Sequence, residues 1–140
     1  MDVSSWLEAY RLAWEAKDVE AAATLFDEHA TYRSNIFEEP HVGRDGVRRY
    51  WQDATRTQEN VRVVMGRPFA DGDRVAAEFW TTMVNEGADV TLPGCLLLRF
   101  DQNGLCLSLR EYWQFETGRL DPPPGWGDLP ASPEAGSASV

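Results

Sequence analysis

The chain has 140 residues, 43% of them hydrophobic and 11% aromatic, with a formal net charge of −10. One folded domain with a true apolar core is the expectation, not a disordered chain. The acidic balance argues against nucleic acid or an anionic membrane surface as partner, since both require a basic face.

Trp6, Leu7, Tyr10, Ala13, Trp14 and Lys17 recur at helical spacing and predict an amphipathic first helix. Asp18 is placed to cap a second helix whose stripe is Val19, Ala22, Ala23 and Phe26. Ala30 to Ser34 reads as a short strand, and Asn35 to Gly43 as a loop carrying Phe37, Pro40 and His41. A third helix follows, with Asp45 in its first turn and Val47, Tyr50, Trp51 and Ala54 on one face.

The second half reads as strands: Val61 to Phe69, Arg74 to Val84, Val90 to Phe100 and Leu105 to Phe115. Asp71-Gly72 and Asn103-Gly104 are hairpin turns, and Asn85 to Asp89 is a polar turn. The order α-α-β-α-β-β-β-β predicts an α+β domain with a mostly antiparallel sheet. From Gly118 the chain turns rich in Pro and Gly. It is expected to form a largely disordered tail over residues 118–140, with the last ten residues unordered and Trp126 docked on the body.

Alternation assigns the faces. In the last strand Leu107, Leu109, Glu111, Trp113 and Phe115 share the inner face, so Glu111 is a carboxyl among apolar side chains. Such a group loses hydration, and its charged form is disfavoured unless it is paired. With Asn103-Gly104 as the turn, Leu96 falls opposite Glu111, and Cys95 and Cys106 are too far out of register for a disulfide. In the preceding long strand Val75, Ala77, Phe79, Thr81 and Met83 point inward. Glu78 and Trp80 point outward, Glu78 toward an arginine and Trp80 toward a second subunit.

Residues Ala16-Lys17-Asp18, Leu25-Phe26, Ala30-Thr31-Tyr32, His41-Val42-Gly43-Arg44-Asp45-Gly46, Tyr50-Trp51 and Arg110-Glu111-Tyr112-Trp113 resemble the NTF2-like superfamily in its SnoaL-like branch. The resemblance covers about residues 5 to 117. It implies a cone: three helices packed on a strongly curved, mostly antiparallel sheet around a pocket. Against the ketosteroid isomerases of this superfamily, Tyr10 matches the first-helix tyrosine, but the two acids fall on Ser34 and Leu96. Against the limonene-epoxide-hydrolase pattern, Glu111 matches the last-strand acid, but the Arg and Asp of the other strand fall on Phe79 and Thr81. SnoaL-type cyclases also use a pocket acid, a role open to Glu111.

Catalytic candidates are therefore Glu111 and Tyr10. Trp14, Tyr32, Ser34, Asn35, His41, Trp51, Phe79, Thr81, Leu96 and Trp113 are candidate ligand contacts. Neither nucleotide, haem nor metal signatures occur, so no cofactor is expected. The expected partners are a small apolar ligand and a second copy bound through the outer sheet face. With neither signal peptide nor membrane span in the sequence, the expected location is the cytoplasm. Two classes stay open: cofactor-independent isomerisation, cyclisation or hydrolysis, and a non-catalytic binding or interaction module.

Overall fold

A computed structural model describes residues 2–128. Helix α1 (Val3–Ala16) starts at Asp2, whose side chain accepts from the Ser5 N–H at 2.7 Å. It ends at Lys17 in the left-handed region, where the Asp18 N–H bonds back to the Ala13 carbonyl at 2.8 Å. The stripe read from the sequence is the buried face: Trp6, Leu7, Tyr10 and Ala13. Helix α2 (Val19–Ala23) is capped by Asp18, which accepts from the Ala21 N–H at 3.1 Å.

Phe26 departs from expectation. It opens strand β1 (Phe26–Arg33) instead of closing α2, because the chain turns at Thr24 and Leu25 and the Leu25 carbonyl receives the Cys106 N–H of the last long strand. The loop expected after β1 holds a two-residue strand β2 (His41–Val42) paired with β1. Helix α3 (Gly43–Thr55) begins at Gly43 with φ +70°, where a Cβ would lie 3.0 Å from the Glu28 carbonyl oxygen.

The remaining strands are β3 (Gln58–Met65), β4 (Phe69–Asp71), β5 (Arg74–Asn85), β6 (Ala88–Phe100), β7 (Cys106–Trp113) and β8 (Glu116–Thr117). The single run expected from Val61 to Phe69 is split. Pro68 has no N–H for a ladder, and at Gly66 a Cβ would sit 2.8 Å from the Gly127 Cα. The sheet order is β2-β1-β7-β6-β5-β3, with β4 on β5 and β8 on β6. Every pairing is antiparallel except β1 with β7. The three helices lie on the curled, unclosed sheet, as the NTF2-like reading requires. Among the described residues, no helix is long and apolar enough to cross a membrane.

Val75, Ala77, Phe79, Thr81 and Met83 of β5 are all buried, and Leu96 pairs with Glu111. Leu107 does not take the inner position expected of it. The ladder shifts between Arg99 and Phe100, so Leu107 is a bulge residue and Cys106 enters the core in its place. Cys95 faces Tyr112 and Cys106 faces Phe100, well apart in register.

The long β5–β6 hairpin is tight at Gly94. A Cβ there would stand 2.4 Å from the Phe79 ring and 2.8 Å from the Tyr112 carbonyl. Gly94→Ala is expected to cost roughly 1–3 kcal/mol and to push Phe79 aside. Urea unfolding checks this; an unchanged midpoint would mean that the strands spread freely.

The segment after β8 packs on the outer face over Gly118–Asp128. Thr91 Oγ1 donates to the Gly118 carbonyl at 2.7 Å, and Trp80 Nε1 donates to the Leu120 carbonyl at 2.9 Å. A short 3-10 turn (Trp126–Asp128) sets the Trp126 ring edge-on to Trp80 at 5.2 Å. Trp80, expected to face a second subunit, is thus covered by its own chain. Glu78 has no arginine partner among the described residues; its carboxylate instead accepts the Gly127 N–H at 2.9 Å. The last ten residues lie outside the described residues.

Candidate functional site

Three elements bring one acid and two phenols together. Tyr10 comes from the buried face of α1, Tyr32 from the inner face of β1, and Glu111 from the inner face of β7. Parallel pairing sets Tyr32 against Leu109, so Glu111 lies one inward step further along. The Tyr10 hydroxyl donates to Glu111 Oε1 at 3.1 Å, and the Tyr32 hydroxyl donates to the same oxygen. The two phenol oxygens are 3.0 Å apart. Oε2 makes no hydrogen bond among the described residues.

Burial dominates the electrostatics. Loss of hydration pushes Glu111 up to about 7, against the opposing pull of the Tyr32 and Tyr10 hydrogen bonds. Burial and then the Glu111 charge raise Tyr10 and Tyr32 well above the usual phenol range, so both stay protonated donors at neutral pH. Tyr50 on α3 is raised for the same reasons.

Glu111 lines two adjoining cavities. The larger, about 180 Å³, is walled by Trp14, Tyr50, Phe79, Leu92 and Trp113, with Gln58 and Asn85 at its polar side. The smaller, about 40 Å³, lies among Tyr10, Tyr32, Tyr50, Trp51 and Thr55. A cavity of about 150 Å³ accepts benzene, so the larger space suits a compound of about one ring. Trp113 and Phe115, 46% and 49% exposed, stand at its edge.

Of the residues expected at the site, Glu111, Tyr10, Trp14, Tyr32, Trp51, Phe79 and Trp113 line these cavities. Ser34, Asn35, His41, Thr81 and Leu96 do not. Ser34 gives its carbonyl to Trp113 Nε1 at 2.6 Å, which fixes the indole at the edge. Asn35 is exposed and caps its own turn, accepting from the Phe37 N–H at 3.0 Å. Thr81 and Leu96 are wholly buried in the core. His41 stands behind the wall, its ring 4.6 Å from that of Tyr50. Burial lowers its pKa, Glu38 raises it and Arg49 adds to the lowering.

Tyr50, Gln58, Asn85 and Phe115 were not among the expected contacts. The spacing of Val47, Tyr50, Trp51 and Ala54 marked Tyr50 as buried, and its hydroxyl was the available signal. Gln58 was hidden by a bulge: the ladder shifts between Glu59 and Arg62, with Asn60 at φ 54°, so Gln58 shares the inner side with Val61 and Val63. The Trp14 indole, which can only donate, bonds Gln58 Oε1 at 3.0 Å. That contact leaves the Gln58 amide NH₂ free for a ligand acceptor.

Tyr32→Phe removes a hydrogen bond that favours ionised Glu111, and so is expected to move the Glu111 pKa further up. Carboxyl titration by NMR measures this; a downward shift would mean that Tyr32 holds the protonated form.

A model of the SnoaL-like domain matches residues 7–108. No curated protein matches the chain. Three of the solved structures that share the fold illustrate the likeness. One is a hypothetical protein with a ketosteroid isomerase-like fold from Catenulispora acidiphila, in complex with trimethylamine. It is 24% identical with a TM-score of 0.71, over 79% of this chain and 86% of that one. SalBIII, an epoxide hydrolase/cyclase-like enzyme with a role in pyran ring formation in the polyether salinomycin, is 21% identical with a TM-score of 0.72. The match spans 82% of this chain and 95% of SalBIII. RV0760c from Mycobacterium tuberculosis is 16% identical with a TM-score of 0.73, over the same shares of 82% and 95%.

Proposed function

The chain belongs to the SnoaL-like domain family, and from that premise we propose that it binds a small, largely apolar cyclic molecule and moves a proton on it with Glu111. The carrying observation is Glu111 itself: raised to about 7, held on one oxygen by two phenols, with its other oxygen free beside the cavity. A group with a pKa near the working pH serves equally as base and acid. Ionised, Oε2 takes a proton from a carbon or hydroxyl of the ligand; protonated, it returns one to a developing oxyanion. Tyr10 and Tyr32 hold the carboxyl in place and stabilise its charge. Gln58 and Asn85 supply polar contacts in the larger cavity.

Isomerisation, ring closure and epoxide opening all need this proton transfer. The likeness to SalBIII supports the cyclisation and epoxide branch. The separate Asp and Arg of the epoxide-hydrolase relay have no counterpart at Phe79 and Thr81, which favours a one-carboxyl mechanism. A binding module without turnover is the second reading, favoured by the absence of any second acid or base in contact with Glu111 among the lining residues.

The test is to titrate small cyclic ketones and epoxides into the protein while following Trp fluorescence and product formation. Binding with turnover that rises through about pH 7 supports base catalysis. Binding without product leaves the module reading, and no binding by any member overturns the pocket assignment.

A further inference from the structure

Four arginines share the outer face of the sheet in a chain whose charge is −10. Their partners across the strands are each other: Arg74 stands opposite Arg99 between β5 and β6, and Arg33 opposite Arg110 between β1 and β7. Like charges directly opposite on one face repel and destabilise a sheet. The chain has acids enough to pair them, yet among the described residues they pair little. Arg74 and Arg110 have no ion-pair partner among the described residues, and Arg99 reaches Asp73 only at 4.0 Å. Arg33 is tied back to the Glu38 carbonyl at 2.7 Å.

Arg74, Arg99 and Arg110 line a polar recess of about 200 Å³ together with Ser108. Arg110 Nε is buried there without a hydrogen-bond partner. An orphaned buried donor is costly, more so when charged, and the repulsion adds to it. One occupant removes both costs: an oxyanion that accepts from several guanidinium N–H groups at once.

We propose that Arg74, Arg99 and Arg110 form a binding site for a phosphate group on the outer face, separate from the Glu111 cavity. Phosphate fits better than a carboxylate. It presents more acceptor oxygens at up to double negative charge, and the guanidinium fork matches its geometry. Ser108, opposite Arg99, adds a hydroxyl donor. The overall negative charge of the chain repels anions at a distance, so affinity must come from these contacts at close range and fall with salt.

The test uses the full chain with inorganic phosphate and phenyl phosphate as probes, at ionic strength held constant with sodium chloride. Calorimetric titration is run on wild type, Arg110→Gln and Arg74→Gln, with thermal melting alongside. Saturable binding is expected, weakened about tenfold or more in each variant. Phosphate at a hundredfold excess over its Kd should raise the wild-type Tm by roughly 5–10 °C. Without phosphate, exposed Arg74→Gln should melt no lower than wild type, since it relieves the repulsion with Arg99. Tighter binding of phenyl phosphate would identify a phosphate monoester as ligand, and equal binding free phosphate; either supports the site. No gain over chloride, or undiminished binding in both variants, overturns it. So does salt-sensitive self-association that phosphate leaves unchanged, which would assign the face to a second copy.

Discussion

Glu111→Gln is expected to keep the fold and ligand binding while lowering turnover by about 10²–10⁴-fold, the usual contribution of a positioned acid or base. The amide keeps the shape and can still accept from the two tyrosines, but it cannot take the proton. The substitution has a second readout that needs no substrate. Glu111 ionises at about 7 in the folded chain and at about 4.3 when unfolded. The folded state therefore holds this proton more tightly. The stability that the proton contributes is complete below about pH 4 and lost as pH rises through the folded value. From pH 4 to pH 8, wild type should lose about 3–4 kcal/mol relative to Glu111→Gln. Urea unfolding of both proteins at the two pH values isolates the carboxyl from every other titrating group. A difference that does not change with pH would mean that Glu111 ionises as in water, and the proton-transfer reading would fall with it.

Trp6→Ala is expected to cost about 3–5 kcal/mol, a large share of the roughly 5–15 kcal/mol that holds a domain together. Trp6 is wholly buried, stacked on Tyr10 at 5.3 Å and edge-on to Phe26 and Phe100 at 5.8 and 5.4 Å. Its Nε1 donates to the Leu25 carbonyl at 2.9 Å, at the point where α2 gives way to β1. Removing the ring opens a cavity and takes a partner from that carbonyl. It also withdraws the surface on which Tyr10 rests, so Glu111 should lose one hydrogen bond and its pKa should rise. Trp6→Phe keeps most of the stacking and should cost less, about 1–3 kcal/mol, chiefly for the lost hydrogen bond. Unfolding midpoints of the two variants separate the terms. Equal losses would place the cost in the indole N–H, and a negligible loss in Trp6→Ala would remove Trp6 from the centre of the core.

The sequence by itself determined the buried stripes of α1 and α3, the α+β class, the inward set of β5 and the pairing of Leu96 with Glu111. Each depends on local information. A period of 3.6 or 2 tells which side chains share a face, and the residues of one tight turn fix the register of the hairpin beyond it. For the same reason alternation alone marks Glu111 as a carboxyl on an apolar face. What surrounds it was decided only by tertiary structure, because Tyr10 and Tyr32 lie 101 and 79 residues away along the chain. Bulges marked the limit of alternation: one extra residue turned Gln58 inward near Asn60 and exchanged Leu107 for Cys106, and no pattern in the neighbouring residues announces such a step. Apart from the docking of Trp126, the packing of Gly118–Asp128 was equally hidden. Its proline-rich composition cannot order itself, and it is held by bonds to Glu78, Trp80 and Thr91, which only the folded sheet brings within reach.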